Sequence, residues 1–188
     1  MVGKIKIINL FGGPGSGKST AAAGLFYRMK MHGYKVELVT EYAKDLVYAG
    51  HLRTMLDLQE YIFAEQNWRL QRLVNHVDWA ITDSPVLLSA VYPHLNQKLH
   101  RTSNWPALPQ FIELVKAQFE CYNNINIVLK RPVKYQQWGR EQSKEEAHEI
   151  DDMINDVLLS GNYDFITLET GPLLVEEVLE YLETHHGL

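Results

Sequence analysis

At 188 residues the chain has the length of one domain and little room for a second, so residues 1–188 are expected to form a single unit. Hydrophobic residues make up 46% and charged residues 22%, which supports a buried core, and the apolar runs are too short for a membrane span. Within the net charge of −5, residues 1–97 hold 10 Lys/Arg against 8 Asp/Glu, residues 98–140 hold 7 against 2, and residues 141–188 hold 1 against 13. A basic centre in an acidic chain suits a local anionic ligand better than a broad nucleic-acid face, with most of the acidic end read as solvated helix surface.

The N-terminus enters an apolar stretch without the extended core of a signal peptide. Lys4 to Phe11 (KIKIINLF) mixes apolar and β-branched residues and runs into glycines, the pattern of a first strand. Lys18 to His32 reads as a helix with Leu25, Phe26 and Met29 on one face and Gly33 as its stop. Lys35 to Thr40 is a second strand, and the signal is helical from Tyr42 until Gly50 interrupts it. A longer helix is expected from about Leu56 to Val74, because Leu58, Ile62, Leu70, Leu73 and Val74 recur at helical spacing. Trp79 to Thr82 is a short buried strand ending at Asp83-Ser84-Pro85.

Residues 93–109 are polar and proline-containing, and read as a long loop or insertion. Phe111 to Tyr122 is helical in pattern, and its lone Cys121 fits a reducing compartment, so a cytoplasmic location is expected. Asn126 to Lys130 is another strand. Ser143-Lys144-Glu145-Glu146 has the form of a capping box that opens a helix through about Leu159. Phe165 to Leu168 and Leu173 to Leu182 complete the pattern as a last strand and a last helix. Strands alternating with helices along the chain predict an α/β fold with a three-layer parallel sheet.

The sharpest motif is Gly12-Gly13-Pro14-Gly15-Ser16-Gly17-Lys18-Ser19, with Thr20 following, which satisfies G-x-x-x-x-G-K-[ST] between a strand and a helix. Glycines there let successive backbone N–H groups surround a β-phosphate, and the following helix sets its positive end against it. Lys18 would reach the β- and γ-phosphates of ATP, and the Ser19 hydroxyl would coordinate Mg²⁺.

Two carboxylates stand at strand ends. Asp83 follows the third predicted strand, where it can hold Mg²⁺ or take a proton from a hydroxyl. Glu41 follows the second, either facing the same cleft or serving as an acid at a helix N-terminus. Arg131-Pro132-Val133-Lys134-Tyr135-Gln136-Gln137-Trp138-Gly139-Arg140 concentrates cations between a strand and a capped helix. Its arginines, Arg140 foremost, could close on a transferring phosphoryl group, with a lid at about 131–142; a solvated loop paired with the acidic end is the other reading. Gln59, Gln66, Arg69 and Arg72 on the long helix could read a substrate, but such side chains more often form solvated surface, which is the expectation here. Tyr92, His94, His100, Arg101 and Trp105 could stack on a ring or contact phosphate. The histidines show no metal-ligand spacing with Cys121, and no structural zinc is expected.

This layout resembles the nucleoside and nucleotide kinase branch of P-loop proteins, and more closely the ribosylnicotinamide-kinase-like ATPase/kinase group with its bacteriophage-encoded members. The resemblance rests on GGPGSGKST, Glu41-Tyr42-Ala43, Thr82-Asp83-Ser84-Pro85 and Tyr135…Gly139-Arg140-x-Gln142…Ala147…Ile150-Asp151. It implies Asp83 as base or metal partner, Glu41 as a hydroxyl or metal contact, Arg131 and Arg140 as lid arginines, and backbone near Gly171 against adenine. Deoxynucleoside kinases carry Asp-Arg-Ser at the third strand's end; Asp83-Ser84-Pro85 lacks that arginine.

The expected activity is ATP- and Mg²⁺-dependent phosphoryl transfer to a nucleoside-like or nucleotide small molecule. Two alternatives stand beside it: a kinase acting on a hydroxymethylated base in DNA, and a nucleotide-dependent switch without a small acceptor. A homodimer is left open.

Overall fold

A computed structural model describes residues 5–50, 58–98, 105–131 and 144–188. Five parallel strands form one sheet in the order β2-β3-β1-β4-β5: β1 (Lys6–Phe11), β2 (Val36–Val39), β3 (Trp79–Thr82), β4 (Asn123–Lys130) and β5 (Phe165–Glu169). Register pairs Ile8 with Ile81 on one side and with Ile125 on the other, so β1 is the central strand. The helices are α1 (Lys18–Met31), α2 (Tyr42–Tyr48), α3 (Gln59–Gln71), α4 (Tyr92–Lys98), α5 (Leu108–Glu120), α6 (Lys144–Ser160) and α7 (Leu174–His186), with a 3-10 turn at Val86–Ala90.

Alternation along β1 divides the core in two. Ile8 and Leu10 join Ala22, Leu25 and Met29 of α1 and Val178 and Leu182 of α7. Ile7 and Phe11 face the other way, onto Phe63 and Leu70 of α3, Phe111, Val115 and Phe119 of α5, and Ile150 and Ile154 of α6. Period-two apolar residues need a helix layer on each face, which is the three-layer arrangement the sequence predicts. Asn9 interrupts the second face, and it is satisfied there. Its amide donates to Asn124 Oδ1 at 2.9 Å and Asn126 Oδ1 at 3.0 Å, while Asn126 donates to the Asp164 carbonyl at 2.9 Å. β4 starts at Asn123 rather than Asn126 because it pairs with β1 from Lys6 onward, and the polar side chains of Asn124 and Asn126 are taken up in this ladder.

At its two described ends the 93–109 segment departs from the long loop its composition suggests. Its start is helical, with Pro93 in the first turn of α4, where a missing N–H costs nothing, and Leu95 buried in the core. Its end opens α5 at Leu108, with Pro109 again in the first turn. Residues 99–104 lie outside the described residues, with His100 and Arg101 among them. So do 132–143, and with them Arg140 and the lid beyond Arg131.

Candidate active site

The glycine loop leaves β1 and turns into α1 through backbone that only glycine adopts comfortably: Gly12, Gly15 and Gly17 have φ of 142°, 88° and 90°. Gly13 is required for a different reason. A Cβ there would lie 2.6 Å from the Ala147 carbonyl oxygen and 2.8 Å from Asp151 Oδ1, so α6 lies directly against the loop. The loop is held from three directions. Gly13 N–H donates to Asp151 Oδ1 at 2.5 Å, Arg131 donates to the Pro14 carbonyl, and the Thr170 hydroxyl donates to the Ser16 carbonyl at 2.7 Å. Ser19 and Thr20, in the first turn of α1, remain exposed where the unpaired N–H groups of the helix end point.

Lys18 lies across the loop and donates to the Gly12 carbonyl at 2.5 Å and the Gly13 carbonyl at 3.2 Å. Burial lowers its pKa, opposed by the carboxylates of Glu41, Asp83 and Asp151. Those carboxylates arrive from the ends of β2 and β3 and from α6, which brings three acids within electrostatic reach of one ammonium. Asp83 is 4% exposed, and its Oδ1 has no hydrogen-bond partner among the described residues. Glu41 occupies the N-cap position of α2 but makes no side-chain capping bond. Its pKa is raised by burial, with Asp83 adding to the rise and Lys18 opposing it. Tyr92, at the start of α4, completes the rim: burial raises its phenol, with Glu41 and Asp151 pushing the same way.

Arg131 does not project freely. Its side chain is 6% exposed and donates to Asp151 Oδ2 at 2.8 Å and to the Ala147 carbonyl at 3.0 Å, besides Pro14. It therefore braces the loop against α6, a role invisible in the sequence because Arg131 and Asp151 are separated by the 132–143 segment. Gln66 and Gln59 correct the expectation of a solvated helix face, since both are buried. Arg72 does lie on that exposed side, over the Trp68 ring at 5.3 Å, and Arg69 pairs with Asp45 at 2.5 Å. Trp105 is a packing residue, 5.0 Å from Phe111 ring to ring. Gly171 is exposed, with open space where a Cβ would stand.

The donors present fit a magnesium ion accompanying a nucleotide. Among the described residues no cluster of three His, Cys, Asp or Glu forms a cage. An unpartnered Asp83 oxygen and an exposed Ser19 hydroxyl beside the glycine loop match the one or two protein ligands that magnesium takes when phosphates supply the rest.

A family model described as an AAA domain matches residues 7–174. Among solved structures, deoxyadenosine kinase from M. mycoides with dCMP and dCDP aligns at 17% identity and a TM-score of 0.64, covering 95% of this chain and 99% of that one. The same enzyme with bound dATP aligns at 19% identity and a TM-score of 0.59, covering 94% and 99%. The NadR protein in complex with NAD and AMP-PNP aligns at 17% identity and a TM-score of 0.70, over 98% of this chain and 50% of that one. No curated protein matches the sequence. These likenesses concern the fold, which is that of P-loop nucleoside and nucleotide kinases.

Proposed function

Since the chain belongs to the AAA domain family of P-loop proteins, we propose that it is an ATP- and Mg²⁺-dependent kinase that phosphorylates a nucleoside-like or nucleotide small molecule. The observation that carries this is the convergence of Lys18, Glu41 and Asp83 beside the glycine loop. A phosphate cradle, a metal acid and a second carboxylate suited to deprotonating an acceptor hydroxyl are the parts that such transfer needs.

In this reading the N–H groups of the loop and the first turn of α1 bind the β-phosphate, and Lys18 moves from the Gly12 and Gly13 carbonyls to the β- and γ-oxygens. Ser19 and Asp83 would hold magnesium, which neutralises charge building on the transferring phosphoryl group. Glu41, its pKa raised by burial, accepts the acceptor hydroxyl's proton as the new O–P bond forms and ADP leaves. Arg140 is the arginine assigned to the closing side and backbone near Gly171 to adenine, while Arg131 braces the glycine loop against α6. Deoxyadenosine kinase and the NAD-bound NadR suggest the acceptors to try first.

The test measures ATP consumption and product mass with nucleosides, ribosylnicotinamide, nucleoside monophosphates and hydroxymethylated DNA. One phosphorylated small molecule supports the reading. Phosphorylated DNA, or slow hydrolysis with no phosphorylated product, overturns it. Asp83→Asn is expected to remove metal-dependent ATP binding, and Glu41→Gln to keep binding but lose turnover.

A further inference from the structure

We infer that Gln66 is a positioning residue that fixes Glu41 relative to Asp83 by bonding the backbone on both sides of Glu41. This rests on the proposed role of Glu41. Gln66 sits in the middle of α3, 2% exposed, where an uncharged amide is costly to bury unless its donors and acceptor are all used. Here they are. Its Oε1 accepts the Tyr42 N–H at 2.9 Å, and its Nε2 donates to the Thr40 carbonyl and to Thr82 Oγ1, each at 3.4 Å. One side chain thereby ties the residues flanking Glu41 to the residue preceding Asp83.

The consequence follows from what a helix end demands. The first N–H groups of α2 need acceptors from outside the helix. Glu41 holds the N-cap position and makes no side-chain capping bond, while the N–H of the next residue is satisfied from α3. Its carboxylate is left within reach of Lys18 and Asp83 instead. Thr82 in turn accepts the Ser84 N–H at 3.1 Å, so the same network shapes the turn that carries Asp83. The amide fixes the relation between two acid-bearing strand ends that have no direct bond to each other among the described residues. Removing it releases the backbone on both sides of Glu41 from α3.

The test compares Gln66→Met, which removes both hydrogen-bonding functions, with Gln66→Glu, which keeps an acceptor for Tyr42. Amide hydrogen exchange over residues 40–48, with β1 and α7 as internal references, reads the cap without requiring activity. Gln66→Met is expected to speed exchange there alone, and Gln66→Glu to hold it near native. In phosphoryl transfer, Gln66→Met is expected to lower kcat roughly 10- to 100-fold, the scale of a small misplacement of a reacting group, with nucleotide Kd within about twofold. Glu41→Gln combined with Gln66→Met should then be no worse than Glu41→Gln alone. Unchanged exchange in Gln66→Met, or effects that multiply in the double variant, overturns the inference. Full turnover in Glu41→Gln would instead sink the role given to Glu41, while the exchange data still decide the cap.

Discussion

Gly13 and Asp151 are 138 positions apart, yet the amide of one donates to the carboxylate of the other at 2.5 Å. Through this bond the nucleotide loop is built partly from the helix that follows the basic segment. Asp151 uses its second oxygen on Arg131, which reaches Pro14 of the same loop, so the three residues close a ring around it.

Asp151→Ala removes the acceptor of Gly13 and takes a carboxylate from the nearly buried Arg131 guanidinium. The expected loss is about 2–4 kcal/mol in urea unfolding, the usual cost of breaking such a pair from one side. Nucleotide affinity should fall as well. Unaltered stability would mean that Arg131 finds its compensation elsewhere.

Gly13→Ala and Gly171→Ala make a controlled pair. At Gly13 a methyl group meets the Ala147 carbonyl oxygen at 2.6 Å, and backbone cannot rotate away as a side chain can. A destabilisation of about 1–3 kcal/mol is expected. Gly171 has open space and no positive φ, and its alanine variant should unfold at the same denaturant concentration as the parent.

Glu41 links activity to stability through pH. Its pKa is raised in the folded state by burial, so the fold favours the protonated acid. Its contribution is therefore complete below the ordinary carboxylate range and is lost as pH rises through the shifted value. Glu41→Gln should leave stability unchanged in acid, increase it at neutral pH, and abolish turnover. Thermal unfolding across pH 4 to 8 checks the sign; a variant less stable than the parent at neutral pH would refute it.

Asn9→Leu tests the ladder beneath α5 and α6. It leaves Asn124 Oδ1 and Asn126 Oδ1 without the Asn9 donor. About 1–3 kcal/mol should be lost, measured by denaturant unfolding, despite the gain in apolar surface.

What could be read in advance was whatever local pattern determines. The glycine loop declares itself because its residue types are dictated by φ and by close approach, and β1, β3 and α1 follow from runs of apolar side chains. Asp83 could be placed at the sheet's edge by counting from a strand end. Gln66 could not, because a glutamine on an amphipathic helix gives no sign of whether its amide is solvated or spent on two strand ends. Nor could Arg131, whose partners lie 117 and 20 positions away and whose charge alone suggested exposure. α4 was hidden by Pro93, which breaks a helix from inside but suits its first turn. For Gln66 and Arg131 the missing information was a tertiary contact.

The hydroxyl of Thr170 on the Ser16 carbonyl gives the loop a history as well as a shape. Residues 12–19 emerge from the ribosome early, but Arg131, Asp151 and Thr170, which fix their geometry, are synthesised much later. A nascent chain holding only the motif has the glycines and the lysine without the walls that orient them. The loop therefore takes its bonded shape only once β5 and the threonine that follows it have been made.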